Sequence, residues 1–242
     1  MPSHGLALTA LLILIVAKPA SGEWTVAGYL GAAHSSETHL RLDQAAGNTH
    51  ITLGAIRYDT RSLSPPLYYG WRATYYFGRT SRWGVEAEMI HLKAFARTNV
   101  PARASGALNG RSVDGTLIAN QVVERFAMSH GLNFALANIV FRTPASRPDG
   151  SSRRLIVLGR LGVGPTVPHV EATVNDESHE GYQFGSIGIQ AASGVELEIH
   201  RHMAIALEYK LTRTKGHVQI AEGEIRSPLT TQHGIVGLAF RF

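Results

Sequence analysis

The chain contains no cysteine among its 242 residues, so disulfides and thiolate-held metals are excluded. Past residue 22 it also lacks any apolar run long enough to form a membrane-spanning helix. No flavin or nicotinamide fingerprint is present. Only 17% of the residues are charged, and the formal charge is +5. That excess suggests an anionic partner, either nucleic acid or an anionic membrane surface.

The one continuous apolar stretch is Leu6 to Ala17, followed by Ala20-Ser21-Gly22. It is short for a bilayer-spanning helix, and small residues stand where a signal peptidase reads. Residues 1–22 are expected to be a secretory signal and 23–242 the mature domain. Export removes nucleic acid from the partners.

What recurs in the mature chain is a run of about ten residues with period two. In the segment from Met203, the residues Met203, Ile205, Leu207, Tyr209 and Leu211 share one face, and Glu208 and Lys210 lie on the other. Trp71, Ala73, Tyr75 and Phe77 oppose Arg72 and Thr74 in the same way. Charges in mid-strand suit a membrane barrel, whose apolar face meets lipid and whose polar face lines the lumen. Arg72, Glu86, Glu88, Arg160, Glu196, Glu198, Glu208 and Lys210 carry both signs and can neutralise one another there.

Eight such runs are expected, at 24–34, 67–78, 83–95, 130–142, 154–170, 183–199, 202–214 and 232–242. The gaps after the odd-numbered runs are long and the others shorter, as at the extracellular and periplasmic ends of a barrel. The fold expected is all-β: an eight-stranded antiparallel transmembrane barrel with long extracellular loops, in the bacterial outer membrane. The closing HGIVGLAFRF alternates to its last residue, so it is expected to pair with the first strand. Phe242 resembles the C-terminal aromatic that outer-membrane assembly machinery recognises. Residues 38–44 and 49–59 also alternate and are assigned to a β-rich first outer loop; as membrane strands they would make ten. In VEAEMIHLKAFA the phase slips after Glu88, which suggests a bulge before His91.

Strand direction places His34, His91, His130, His169 and His233 at the outer rim, five of the twelve histidines. His169 and Glu171 are two apart, so both point one way; His91 and Lys93 do likewise. His91, His130, His169 and Glu171 are expected to converge as a catalytic set. His130, His169 and Glu171 would hold a divalent or redox metal. Arg61, Lys93 and Asn133 stand as candidate substrate contacts. Arg61, Lys93, Arg97 and Arg103 supply rim cations suited to the phosphates of lipid A.

RSLSPPLYYGWRATYYF, WGVEAEMIHLKAFA, SHGLNFALANIVFR, VGPTVPHVEATV, ALEYKLT and HGIVGLAFRF resemble, in order, blocks of the lipid A oxidase-type barrels of alpha-proteobacteria. The resemblance implies an outer-membrane enzyme that uses molecular oxygen to oxidise the proximal glucosamine of lipid A to an aminogluconate unit, releasing hydrogen peroxide. Two other readings stand beside it. One is a non-enzymatic barrel, structural or binding surface ligands. The other is a lipid A deacylase, which needs a serine oriented by a histidine and a carboxylate. Ser129 and His130 are adjacent and would point to opposite faces if extended.

Overall fold

A computed structural model describes residues 22–78, 80–143 and 154–242. The expected signal segment, apart from Gly22, lies outside the described residues, as do Arg79 and most of the second periplasmic connection. Among the described residues fourteen strands run in chain order: β1 (Glu23–Gln44), β2 (Thr49–Asp59), β3 (Tyr69–Tyr76), β4 (Trp83–Ala96), β5 (Pro101–Leu108), β6 (Arg111–Ile118), β7 (Arg125–Arg142), β8 (Leu155–Val174), β9 (Glu177–Tyr182), β10 (Ile187–His200), β11 (Met203–Thr214), β12 (His217–Ile220), β13 (Gly223–Arg226) and β14 (Leu229–Arg241).

Eight of them close a ring. β1 pairs β3, β3 pairs β4, and the ladder continues through β7, β8, β10, β11 and β14 back to β1, every pair antiparallel. The eight expected runs are these strands. Phe242 donates from its backbone N–H to the Trp24 carbonyl at 2.9 Å, so pairing continues past the end of β14. Closure leaves no unpaired edge in the bilayer, which a membrane-spanning sheet requires.

The remaining strands lie beyond one end of the ring. β2 pairs the far half of β1 and the tip of β4, and it carries β5 and β6. β9 folds back on β8, and β12 and β13 extend the sheet from β1. Residues 38–44 and 49–59 therefore build the extracellular extension, and the membrane ring has eight strands, not ten.

The faces follow the alternation. Trp71, Leu207 and Phe240 are exposed on the exterior, whereas Arg72, Glu86, Glu208 and Lys210 are buried inside. The mid-lumen layer balances Arg72, Arg160 and Lys210 against Glu86, Glu88 and Glu208. Arg72 Nη1 lies 3.0 Å from Glu208 Oε2, and Arg160 Nε 3.1 Å from Glu86 Oε1. Lys210 pairs with Glu88. Asn138 donates to Glu86 and Glu88, and Tyr29 donates to Glu88 at 2.6 Å. Buried charges demand this full pairing. Towards the periplasm, Arg241 reaches Glu196 and Glu198. Towards the outside, an apolar core of Leu40, Leu53, Tyr58, Ile90, Leu92, Phe126 and Phe134 fills the barrel and its extension. The interior is thus packed with side chains. A closed antiparallel barrel with an apolar exterior and a paired charged interior is an outer-membrane protein.

Candidate functional site

The exterior of β8 marks where lipid ends. Its outward residues run Val157, Leu161, Val163, Pro165 and Val167, with Leu161 68% exposed. The next two outward positions are His169 and Glu171. On β1, β4 and β7 the same change from apolar to polar falls at His34, His91 and Asn133. Four of the five rim histidines thus sit at outward positions just above the apolar belt, with His91 covered there by its neighbours. His233 is the exception. It points inward, 1% exposed, within 2.9 Å of Thr212 Oγ1.

β7 makes the local geometry. Its pairing with β8 jumps from Ala127↔Glu171 to Leu132↔Pro168, so β7 carries two extra residues there. The pairing with β4 jumps at the same place. Gly131 accommodates the bulge at φ +118°, a conformation that L side chains rarely adopt. The bulge expected on β4 is therefore on β7. Pairing of β4 with β3 is continuous through His91. β4 loses its alternating exposure because its outer face is covered, not because its phase slips. His91 stacks on Tyr69 at 4.8 Å and meets Asn133 Oδ1 at 2.8 Å. Lys93 donates to the Ser64 carbonyl at 2.8 Å.

The bulge turns both Ser129 and His130 outward beside β8, correcting the expectation of opposite faces. Ser129 donates to Glu171 Oε1, and its oxygen lies 3.0 Å from His130 Nδ1. The His130 and His169 rings meet edge to face at 4.7 Å, and Tyr182 closes on His169 at 4.6 Å. Asn175 and Asp176, both at positive φ, form the tight turn that folds β9 back. This places Glu180 opposite Glu171. His130 Nδ1 lies 3.7 Å from Glu171, and His169 Nε2 lies 3.7 Å from Glu180.

One ligand atom from each of His130, His169, Glu171 and Glu180 falls within 4.8 Å of every other. Glu180 escaped the sequence reading. His91 and Lys93 are not in the group: His91 is held by Tyr69 and Asn133, and Lys93 by the loop before β3. Among the substrate candidates, Asn133 reaches the Val167 carbonyl, and Arg61 lies over Phe95.

Burial opposes ionisation of Glu171, but the hydrogen bond from Ser129 and the charge of Arg125 outweigh it and hold its carboxyl below the usual range. Glu171 is thus an anionic oxygen donor at neutral pH. The His169 side chain is only 12% exposed, and its Nδ1 has no hydrogen-bond partner. Two imidazoles and two carboxylates suit zinc, manganese or iron rather than a thiophilic ion. Tetrahedral ligands about 2.0–2.2 Å from an ion stand about 3.4 Å apart. The quartet must therefore contract by about an ångström, within the reach of the exposed His130 and Glu180. The residues fit a metal.

No family model matches the sequence, and no curated protein does. Among solved structures, the chain is similar to Ail, the attachment invasion locus protein of Yersinia pestis, at 14% identity, covering 92% of this chain and 100% of that one, with a TM-score of 0.38. It is similar to Neisserial surface protein A at 10% identity over 92% and 100% of the two chains, TM-score 0.41. It is also similar to OprG, an outer-membrane protein of Pseudomonas aeruginosa, at 13% identity over 92% and 96%, TM-score 0.44.

Proposed function

We propose that this outer-membrane barrel is a lipid A-modifying oxidoreductase whose reaction centre is the group formed by His130, His169, Glu171 and Glu180. The observation that carries the reading is the position of the group. It faces outward immediately above the last lipid-facing residue, Val167, where the saccharide of lipid A meets water. An enzyme acting on a membrane-borne sugar needs its chemistry at that level and on that face, not in the lumen.

The donor set supports oxygen chemistry. His130, His169 and Glu171 make two histidines and a carboxylate that leave ligand positions open, the pattern of non-haem iron sites, and an ion held there would supply oxygen activation. In the reaction implied by the sequence resemblance, the anomeric carbon of the proximal glucosamine loses two electrons and two protons. Molecular oxygen accepts them to become hydrogen peroxide. Glu180 is exposed and lies in the same group, so with His130, His169 and Glu171 as ligands its carboxylate is available to take the proton from the sugar hydroxyl. Arg125 and Ser129 fix the Glu171 carboxylate, and Tyr182 limits rotation of the His169 ring.

The test is mass spectrometry of lipid A from cells expressing wild type, His169→Ala and Glu171→Gln, in a host whose lipid A carries a free anomeric hydroxyl on the proximal sugar, with folding checked by heat-modifiable mobility. The expected outcome is a two-proton mass loss (or its hydrated acid) with wild type only. Unmodified lipid A in all three, with the barrel folded, sinks the reading.

A further inference from the structure

A second outward-facing cleft lies above β3, between β1, β2 and the end of β4. Its volume is about 700 Å³, and Arg57, Arg61, Arg97, Glu37 and Asp59 line it. Two of its arginines are already matched. Arg97 binds Asp59 in a fork, with Nη2 2.6 Å from Oδ1, and Arg57 pairs with Glu37. Among the described residues, Arg61 has no carboxylate within ion-pair distance.

Arg61 is nevertheless held in place. Thr60 and Ser62, on either side of it, both fasten to the backbone of Ala33 on β1. The Thr60 hydroxyl donates to the Ala33 carbonyl, and the Ala33 N–H donates to Ser62 Oγ at 2.9 Å. Between these two clips Arg61 takes φ +43°, a left-handed conformation that costs a non-glycine residue free energy. The result is a guanidinium laid over the Phe95 ring, 4.2 Å from its centroid. Stacking covers one flat face and leaves the N–H edge open, the geometry that receives an oxyanion. Lys93 is buried nearby, its ammonium donating to the Ser64 and Pro65 carbonyls. Thus Arg61, a cation without a carboxylate partner, lines a polar cleft while held in an unfavourable backbone conformation.

The position is equally specific. Phe95 pairs with Ala127, and Ala127 with Glu171, in one row across the outer surface. Two strand spacings, about 10 Å, separate the Arg61 stacking platform from the reaction centre. That is roughly the reach of a disaccharide.

We infer that the Arg61 cleft is a subsite for a phosphate group carried on the saccharide of an outer-leaflet lipid, anchoring one sugar while the other reaches His130 and His169. The inference rests on the reading of lipid A as the ligand, but its test reads binding rather than turnover.

The folded barrel in detergent micelles is titrated with lipid A phosphorylated on the distal sugar only, its anomeric hydroxyl free, and with the same lipid after phosphatase treatment, followed by calorimetry. Wild type should bind the phosphorylated form at least tenfold more tightly. Arg61→Gln should abolish that preference, and Arg61→Lys should keep part of it, because the charge remains and the fork is lost. If Arg61→Gln fails to fold, a weakened preference in Arg61→Lys still decides the matter. Inorganic phosphate that displaces the lipid assigns the cleft to phosphate from either source. Failure to displace, with the preference intact, assigns it to the lipid-borne group. Equal binding of both lipids by wild type, or an unchanged preference in both variants, overturns the inference. His169→Ala should retain the preference. A wild-type protein that prefers phosphorylated lipid but oxidises none would lose only the catalytic reading.

Discussion

Ser129 Oγ lies 3.0 Å from His130 Nδ1, although the two residues are neighbours in the chain. Glu171 completes a serine, histidine and carboxylate group of the kind a deacylase needs, but the wiring is wrong for that chemistry. In a working triad one imidazole nitrogen accepts from serine and the other donates to the carboxylate. Here the same Nδ1 faces both Ser129 and Glu171, and the serine hydroxyl already donates to Glu171. Ser129→Ala is therefore expected to leave the number of acyl chains on lipid A unchanged from cells with wild type. Loss of a deacylated species in that variant would restore the hydrolase reading.

The lumen yields a prediction about stability. Glu208 serves Arg72, Arg160 and Lys210 at once. Glu208→Ala leaves a net positive charge in a sealed interior, and breaking one partner of such a network costs about 3–5 kcal/mol. Urea titration of the heat-modifiable band should show a clearly lowered midpoint. Because side chains fill the lumen, wild type should show no steady ion conductance in a planar bilayer. A stable open channel would contradict the packing.

Closure can be tested at the last residue. Phe242 and Trp24 exchange backbone hydrogen bonds in both directions. Removing Phe242 deletes this final rung, and with it the aromatic expected to engage the assembly machinery. The variant should accumulate less folded barrel in the outer membrane at equal synthesis. Equal amounts of folded protein would show that the rung and the aromatic are dispensable.

Acid should loosen the Arg61 cleft before it harms the barrel. The hydrogen bond from Arg97 is the largest influence on the Asp59 carboxyl, and Arg61 adds to it; together they lower its pKa. The group also shares the cleft with Arg57, Glu37 and His34. A carboxyl depressed on folding stabilises above its unfolded pKa, about 3.9, and that contribution is lost as pH falls through the lower folded value. Proteolytic nicking of residues 59–64 should therefore be constant from about pH 8 to pH 5 and rise only below pH 4. Asp59→Asn should nick readily throughout. A wild-type transition near pH 6 would point to a histidine instead.

The membrane ring was readable because lipid and lumen impose opposite chemistry on alternate residues. Arg72 between Trp71 and Ala73 is such a signal, and so is Glu208 between Leu207 and Tyr209. The extension was harder to read. β9, in ESHEGY, has no apolar alternation, so Glu180 went unnoticed. The Asn175-Asp176 pair held the missing cue: a two-residue turn there fixes Glu180 opposite Glu171. The bulge beside His91 was misplaced for a different reason. Continuous burial of β4 from Ile90 to Ala94 looks in sequence like a change of phase, whereas its cause is a cover contributed by Tyr69, Asn133 and the loop at Ser64. Such a cover is tertiary and leaves no local trace.

The metal prediction follows from which ligands are fixed and which are free. His169 is largely enclosed and ring-packed against Tyr182, and Glu171 is tied to Ser129 and Arg125. His130 and Glu180 are exposed and can swing. Rigid ligands are pre-organised and give most of the affinity; mobile ones lose part of their contribution in being ordered. Isothermal titration of the folded, chelator-stripped barrel with zinc or ferrous ion should therefore show a hierarchy. His169→Ala and Glu171→Gln should weaken binding by a hundredfold or more. Glu180→Gln should weaken it by about tenfold, because the exposed carboxylate loses much of its contribution in being ordered. His91→Ala should leave the affinity unchanged, since its ring is held by Tyr69 and Asn133 outside the group. If His91→Ala proves as damaging as His169→Ala, the centre is wider than the four residues. If neither metal binds wild type, His130, His169, Glu171 and Glu180 are a polar cluster of the membrane interface alone.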